Sequence, residues 1–269
     1  RKDHILLYTI VKEIKDVSEI KISDILGLSV DSSGNVRYKY ETHTARRIPN
    51  IILIDHDFMR LAGYFLADGS ITNRGINLYF GPNDQEYVED AARIIAKNLF
   101  YVPRIRKEGS VFRIECYAGI IRDLFQNFFS KYSYGKSIPH WFVYLPHEKQ
   151  IELMKGYYRG DGGLKPEAFS LVTNSPKLVS QFKTILLRLG IIPGIYRRPK
   201  EVLNKKKNVF KGREISFKYD KYEFDIGGSW LKRASEIFGV EHPLLKKRTR
   251  ANEFAWIKNG FAYLPMKDL

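Results

Sequence analysis

The sequence predicts an α+β fold of two pseudo-symmetric halves, each in the order helix–strand–strand–helix–strand–strand–helix (αββαββα), with antiparallel sheets and a pair of packed helices. Three observations predict it. Leu61-Ala62-Gly63-Tyr64-Phe65-Leu66-Ala67-Asp68-Gly69 is echoed 93 residues later by Met154-Lys155-Gly156-Tyr157-Tyr158-Arg159-Gly160-Asp161-Gly162. Registering Asp68 on Asp161 brings the same succession of periodicities into line behind each copy. A composition of 44% hydrophobic and 14% aromatic residues over 269 positions supplies a core large enough for such a fold and excludes a disordered tail.

Each copy of the repeat reads as a short apolar helix with small residues four apart, Gly63 and Ala67 in one, Gly156 and Gly160 in the other. That spacing lets two helix backbones approach as larger side chains would not. If the copies pack on each other, Asp68 and Asp161 meet at one end of the pair. After Asp68, the turn Asn73-Arg74-Gly75 and the alternating run Ile76-Asn77-Leu78-Tyr79-Phe80 read as a hairpin. Pro82-Asn83-Asp84 opens an amphipathic helix to residue 99 through Val88, Ala92, Ile95 and Leu99. Strands at 102–106 and 111–117 and a helix at 120–129 complete the half. After Asp161 the order recurs: a strand at 169–172, a helix through Val179, Phe182, Ile185, Leu186 and Leu189, strands at 192–198 and 214–226, and a helix at 229–238. The second half carries a basic insertion at 200–213.

The expected domains are an N-terminal extension (1–50), a first half (51–140), a second half (141–240) and a basic tail (241–269). Residues 4–15 read as helical. Residues 21–29 have the pattern either of a helix-turn-helix or of a packing extension.

Lys and Arg outnumber Asp and Glu by 45 to 30, a net charge of +15 with a pI near 9.6. Such an excess on a folded chain points to a polyanion, nucleic acid before acidic membrane; the alternative is a merely basic protein. No apolar run approaches membrane-spanning length, and no signal-peptide pattern opens the chain. The single Cys116 excludes an intramolecular disulfide and any zinc cluster. The expected location is intracellular, in the cytoplasm or on the nucleoid.

The doubled helix and the repeat order behind it, over residues 51–250, resemble the paired signature of LAGLIDADG homing endonucleases of the single-chain, two-motif kind. Leu66 and Arg159 stand where the namesake motif has Asp, while the acid that the family uses for metal is kept in both copies. Lys136-Ser137-Ile138-Pro139 resembles a segment of intein-encoded members in which the Lys sits beside the active site. Its counterpart in the second half is Lys246 or Lys247. Asn259-Gly260-Phe261-Ala262-Tyr263-Leu264-Pro265-Met266 looks like the strand at which an intein chain re-enters its splicing domain. Beginning at Arg1 and ending in Lys267-Asp268-Leu269, the chain is not expected to splice as given. The resemblance implies a monomer, with no protein partner required and no membrane. It would bind double-stranded DNA and hydrolyse one phosphodiester on each strand of a long asymmetric site. Magnesium would serve, with manganese substituting and calcium binding without supporting cleavage.

Phosphodiester hydrolysis needs an activated water and stabilised charge on the phosphoryl and leaving oxygens, which divalent metals supply. Magnesium is commonly held by one or two carboxylates plus waters and phosphates, so Asp68 and Asp161 suit it, with the carbonyls of Ala67 and Gly160 as further ligands. Helix C-termini favour a cation. Lys136 and Lys246 or Lys247 would steady developing negative charge. The alternatives for the acids are helix C-capping or a salt bridge with Arg159. The strands would line the major groove with alternate side chains. Candidates are Asn73, Arg74, Asn77, Tyr79, Arg104, Arg106 and Arg113 in the first half. In the second they are Lys165, Asn174, Arg197, Arg198, Lys218 and Lys221, with Lys205, Lys206 and Lys207 from the insertion. A catalytically silent nucleic-acid-binding protein on the same scaffold, an intron maturase or a regulator, is the alternative function.

Overall fold

The computed structural model describes residues 5–38, 47–205, 208–210, 213–246 and 255–265. The extension contributes β1 (Ile5–Thr9), β2 (Glu19–Lys21), α1 (Ile22–Leu26), β3 (Ser29–Val30), β4 (Asn35–Arg37), β5 (Ile48–Pro49) and β6 (Ile51–Leu53). The first repeat is α2 (His56–Asp68), β7 (Gly69–Ile71), β8 (Ile76–Phe80), α3 (Gln85–Asn98), β9 (Arg104–Glu108), β10 (Val111–Cys116) and α4 (Gly119–Phe129). The second begins with α5 (His147–Asp161), β11 (Gly162–Leu164), β12 (Ala168–Thr173), α6 (Pro176–Arg188) and β13 (Gly194–Arg198). It is interrupted by α7 (Lys200–Leu203), β14 (Asn208–Phe210) and β15 (Arg213–Ile215), then resumes with β16 (Lys221–Gly227) and α8 (Leu231–Phe238). The tail adds β17 (Trp256–Lys258) and β18 (Phe261–Pro265). The αββαββα order is therefore present twice.

Two compact units divide the chain. Residues 15–132 and 136–160 form one; residues 1–14, 133–135 and 161–269 form the other. In the first unit the sheet order is β7-β8-β10-β9, all antiparallel. The side chain of Asp55 accepts the Phe58 amide at 2.8 Å and starts α2. From Phe58 to Ala67 every residue of α2 except Arg60 is buried, the signature of a central helix rather than an amphipathic surface one. Phe65 packs edge-on against Phe125 (4.9 Å between centroids), and Phe129 and Phe142 extend the cluster. α2 and α5 pack within this unit through glycine. A Cβ on Gly63 would lie 2.3 Å from the Leu153 carbonyl oxygen, and one on Gly156 2.2 Å from that of Arg60. Arg60 clamps this crossing. Its guanidinium pairs with Asp57 (2.8 Å), Asp90 (2.7 Å) and Glu152, on α2, α3 and α5.

In the other unit the sheet order is β11-β12-β16-β13. Ser175 caps α6 by accepting the Leu178 amide, with Pro176 at its first turn. The core gathers Phe169, Leu171, Phe182, Phe224, Ile226 and Phe238. β1 pairs with β18, and Tyr8 and Leu264 pack over Leu187, Ile192 and Ala262.

Three expectations are corrected. Residues 5–9 form a strand, not a helix, because their backbone partners lie at 261–265, beyond the reach of any local periodicity. Residues 21–29 do not form a helix-turn-helix: α1 is a single turn, stopped by Gly27 at φ 64° and followed directly by β3. The strand expected over 214–226 is broken, its start belonging to the β14–β15 hairpin and only β16 to the sheet.

Candidate metal and nucleic-acid site

Asp68 is the last residue of α2 and Asp161 the last of α5, so both acids stand at helix C-termini. Among the described residues the Asp68 carboxylate makes no hydrogen bond and no ion pair. Its side chain reaches solvent, yet surrounding protein desolvates it and raises its pKa. Lys136 lowers the pKa, Asp84 raises it further, and the net shift is upward. Gly160 leaves the carboxylate room: a Cβ there would lie 3.0 Å from Asp68 Oδ2 and 2.6 Å from the Ala67 Cβ. An acid left without a partner beside a cradle that any side chain would fill suits a hydrated divalent cation. No group of three or more His, Cys, Asp or Glu side chains poised to hold a metal occurs among the described residues. A single carboxylate lies within the sparse ligation by which magnesium is commonly held in proteins.

Lys136 is buried, and its ammonium donates to the carbonyls of Phe65 (3.1 Å), Leu66 (2.8 Å) and Ala67 (3.0 Å), spending three protons on the open end of α2. One lone pair of the Ala67 carbonyl is thereby occupied. Arg159 is not bound to Asp68. It donates to the Tyr64 hydroxyl (2.6 Å), lies 3.7 Å from Asp90 and covers the Tyr87 ring. Lys246 is exposed on the short turn Pro243–Lys246, 3.4 Å from Glu241. Lys247, Lys206 and Lys207 lie outside the described residues.

Strand register places Asn77, Tyr79, Arg104, Arg106 and Arg113 on one face of the first sheet. Arg113 stands opposite Tyr79 and Arg106, and Glu115 opposite Asn77 and Arg104. Leu78, Phe80, Ile114 and Cys116 occupy the other face and are buried. Asn73 and Arg74 are exposed in the β7–β8 turn. In the second sheet Arg198 and Lys221 are paired and share a face with Glu223, to which Lys165 also reaches (2.8 Å). Arg197, the neighbour of Arg198 on one strand, faces the opposite way and is held by Asp220 at 2.7 Å. Asn174 is spent on the Asp220 carbonyl (2.8 Å). Lys205 and Lys218 are exposed outside the four-stranded sheet.

Two acids escaped the sequence reading. Glu115 has 1% of its side chain exposed, with Arg106 Nε at 3.1 Å and Arg113 Nη2 at 2.7 Å. Burial would raise its pKa, but the Tyr117 hydroxyl and Arg106, Arg113 and Arg104 hold it below the usual carboxylate range. Glu223 is held likewise by Lys165 and Arg198, each at 2.8 Å. The alternation Arg113-x-Glu115 and Lys221-x-Glu223 was the available signal, since residues two apart on a strand share a face.

A family model described as a LAGLIDADG-like domain matches residues 55–130 and 148–224, together more than half of the chain. The chain is 28% identical to an uncharacterized protein, MJ0043, of Methanocaldococcus jannaschii, over 97% of this chain and 31% of that protein. The chain therefore spans about a third of that relative's length. It is 24% identical to a DNA polymerase of Thermococcus kodakarensis over 66% of this chain and 12% of the polymerase. A solved structure of mesophilic variants of the homing endonuclease I-DmoI covers 70% of this chain and 98% of its own, at 13% identity and a TM-score of 0.49.

Proposed function

We propose that this chain, which belongs to the LAGLIDADG-like domain family, is a site-specific, metal-dependent DNA endonuclease that cuts both strands of a long asymmetric site as a monomer. The observation that carries the reading is Asp68: a carboxylate without a partner among the described residues, at the C-terminus of a close-packed helix pair and beside Gly160. Asp68 and Asp161 would hold magnesium, each serving one strand. Bound there, the metal would supply a nucleophilic water and neutralise charge on the phosphate. The chain's own residues do the rest. Lys136 fixes the end of α2, and its buried positive charge favours the anionic form of Asp68. The polar faces of the two sheets would lie in the major groove. There Arg104, Arg106, Arg113 and Arg198 meet base edges, while Arg74, Lys205 and Lys218 meet phosphates.

The matched segment is a minor part of two differently named proteins, 31% of MJ0043 and 12% of the polymerase. A module that recurs inside different hosts behaves as an embedded intein segment, and the β1–β18 pairing would close it off.

Incubation with a randomised duplex library and magnesium tests the reading. Wild type should leave double-strand breaks at one recoverable site, and Asp68→Asn and Asp161→Asn should each lower that cleavage by about 10³-fold. Cleavage indifferent to both substitutions would reject the site. Tight, salt-sensitive binding without cleavage by wild type would instead identify a nucleic-acid-binding protein on this scaffold.

A further inference from the structure

Five buried polar atoms on the open face of the first sheet lack a hydrogen bond: Asn77 Oδ1, Arg106 Nε, Arg113 Nε and both carboxylate oxygens of Glu115. Glu115 is ion-paired all the same, with Arg113 Nη2 at 2.7 Å and Arg106 Nε at 3.1 Å, and Arg113 Nη2 also meets Glu108 at 2.6 Å. Glu115 and Asn77 are both more than nine-tenths buried. The three acceptors of that set, Asn77 Oδ1 and the two Glu115 oxygens, face donors within the protein and not a base edge, whereas the arginine side chains remain 39% (Arg106) and 23% (Arg113) exposed. Its arginines come from two neighbouring strands, Arg106 from β9 and Arg113 from β10, and converge on the carboxylate between them. A guanidinium is a rigid fork of five donors; pinned from behind through part of that fork, it keeps the rest for a planar pair of acceptors in front. Guanine offers such a pair, O6 and N7, in the major groove.

We propose that Glu115 is a specificity-determining positioning residue that aims Arg106 and Arg113 at guanine edges in the half-site read by the first sheet. The proposal rests on the endonuclease reading and adds to it a base identity and a residue that never touches DNA. Charge supports base reading over phosphate binding, because an arginine already neutralised by a carboxylate releases few counterions on binding. The second sheet provides the contrast. Glu223 holds one arginine, Arg198, and one lysine, Lys165, whose point charge has no fork to aim.

The test is equilibrium binding, in calcium, of the recovered site and of duplexes carrying adenine for each guanine of that half-site. Wild type should discriminate against one or two of these by roughly tenfold or more. Glu115→Gln should flatten that discrimination, tighten binding to scrambled duplex and steepen the salt dependence by about one phosphate contact. Glu223→Gln should change guanine discrimination less. If Glu115→Gln melts below the assay temperature, Arg113→Lys replaces it: charge and salt slope stay, and guanine discrimination falls. Unchanged discrimination in whichever variant folds overturns the proposal. Failure of wild type to prefer any duplex overturns the endonuclease reading itself.

Discussion

Lys136 and Lys246, one of the two lysines read as its counterpart in the second half, occupy opposite environments. Lys136 is buried and spends its ammonium on three carbonyls at the end of α2. Lys246 has 72% of its side chain exposed and, among the described residues, meets an exposed Glu241 at 3.4 Å. The same residue type after the same motif is thus a structural cap in one half and a solvated charge in the other. The sheets repeat the lesson. Counting from the motif acids, Glu115 corresponds to Asp225 and Arg113 to Glu223, so the sign of charge at one register position is inverted between halves. Duplication preserved backbone order while each half acquired its own electrostatics.

The largest effect is expected where backbones touch. Gly63→Ala drives a Cβ into the Leu153 carbonyl, which has no room to yield, and should cost roughly 3 kcal/mol or more in urea unfolding. Gly160→Ala, in the same row, puts a Cβ 2.6 Å from the Ala67 Cβ, which is fixed to its backbone, and 3.0 Å from Asp68 Oδ2, so it should also destabilise, though by less than Gly63→Ala. Calorimetric titration should show its magnesium affinity reduced. Equal destabilisation by the two would mean that the Ala67 side chain yields no more readily than the Leu153 carbonyl.

Lys136→Met should lower cleavage by about 10²-fold while the variant stays folded, and Lys246→Met should change it less than about twofold. Similar losses in both would show that the exposed lysine is recruited when DNA binds. Arg60→Ala should cost roughly 3 kcal/mol, because Asp57, Asp90 and Glu152 lose their shared cation, whereas Lys155→Ala, removing one half-buried i,i+3 partner of Glu152, should cost under about 1 kcal/mol.

The smallest effect concerns pH. Folding raises the pKa of Asp68, so without metal the native state holds this proton more tightly than the unfolded chain does. The ionised carboxylate then costs stability as pH rises above the unfolded value near 3.8. Asp68→Asn should therefore raise the melting temperature in chelator at neutral pH, with a gain that shrinks to nothing as pH falls below that value. Magnesium should reverse the order by stabilising wild type alone.

Much of this was legible beforehand. The double αββαββα order, both helix-terminal acids and the common face of Asn77, Tyr79, Arg104, Arg106 and Arg113 follow from periods of 3.6 and 2, which are local properties of the chain. The errors fell where partners are remote. The strand at 5–9 owes its form to residues 261–265, and Arg197 and Arg198, adjacent in sequence, are separated by the pleat. Asn174, read as a DNA contact, donates its amide to the Asp220 carbonyl, a partner that nothing nearby in sequence shows.

By itself the sequence determined the repeat, the placement of one acid at the end of each signature helix and the basic balance of charge, since each is written in spacing and composition. Tertiary structure alone decided that Lys136 caps α2, that Arg159 serves Tyr64 and Asp90 rather than Asp68, and that Glu115 lies beneath two arginines. These hydrogen bonds and ion pairs join groups up to 95 residues apart, and no local pattern specifies which donor reaches which acceptor.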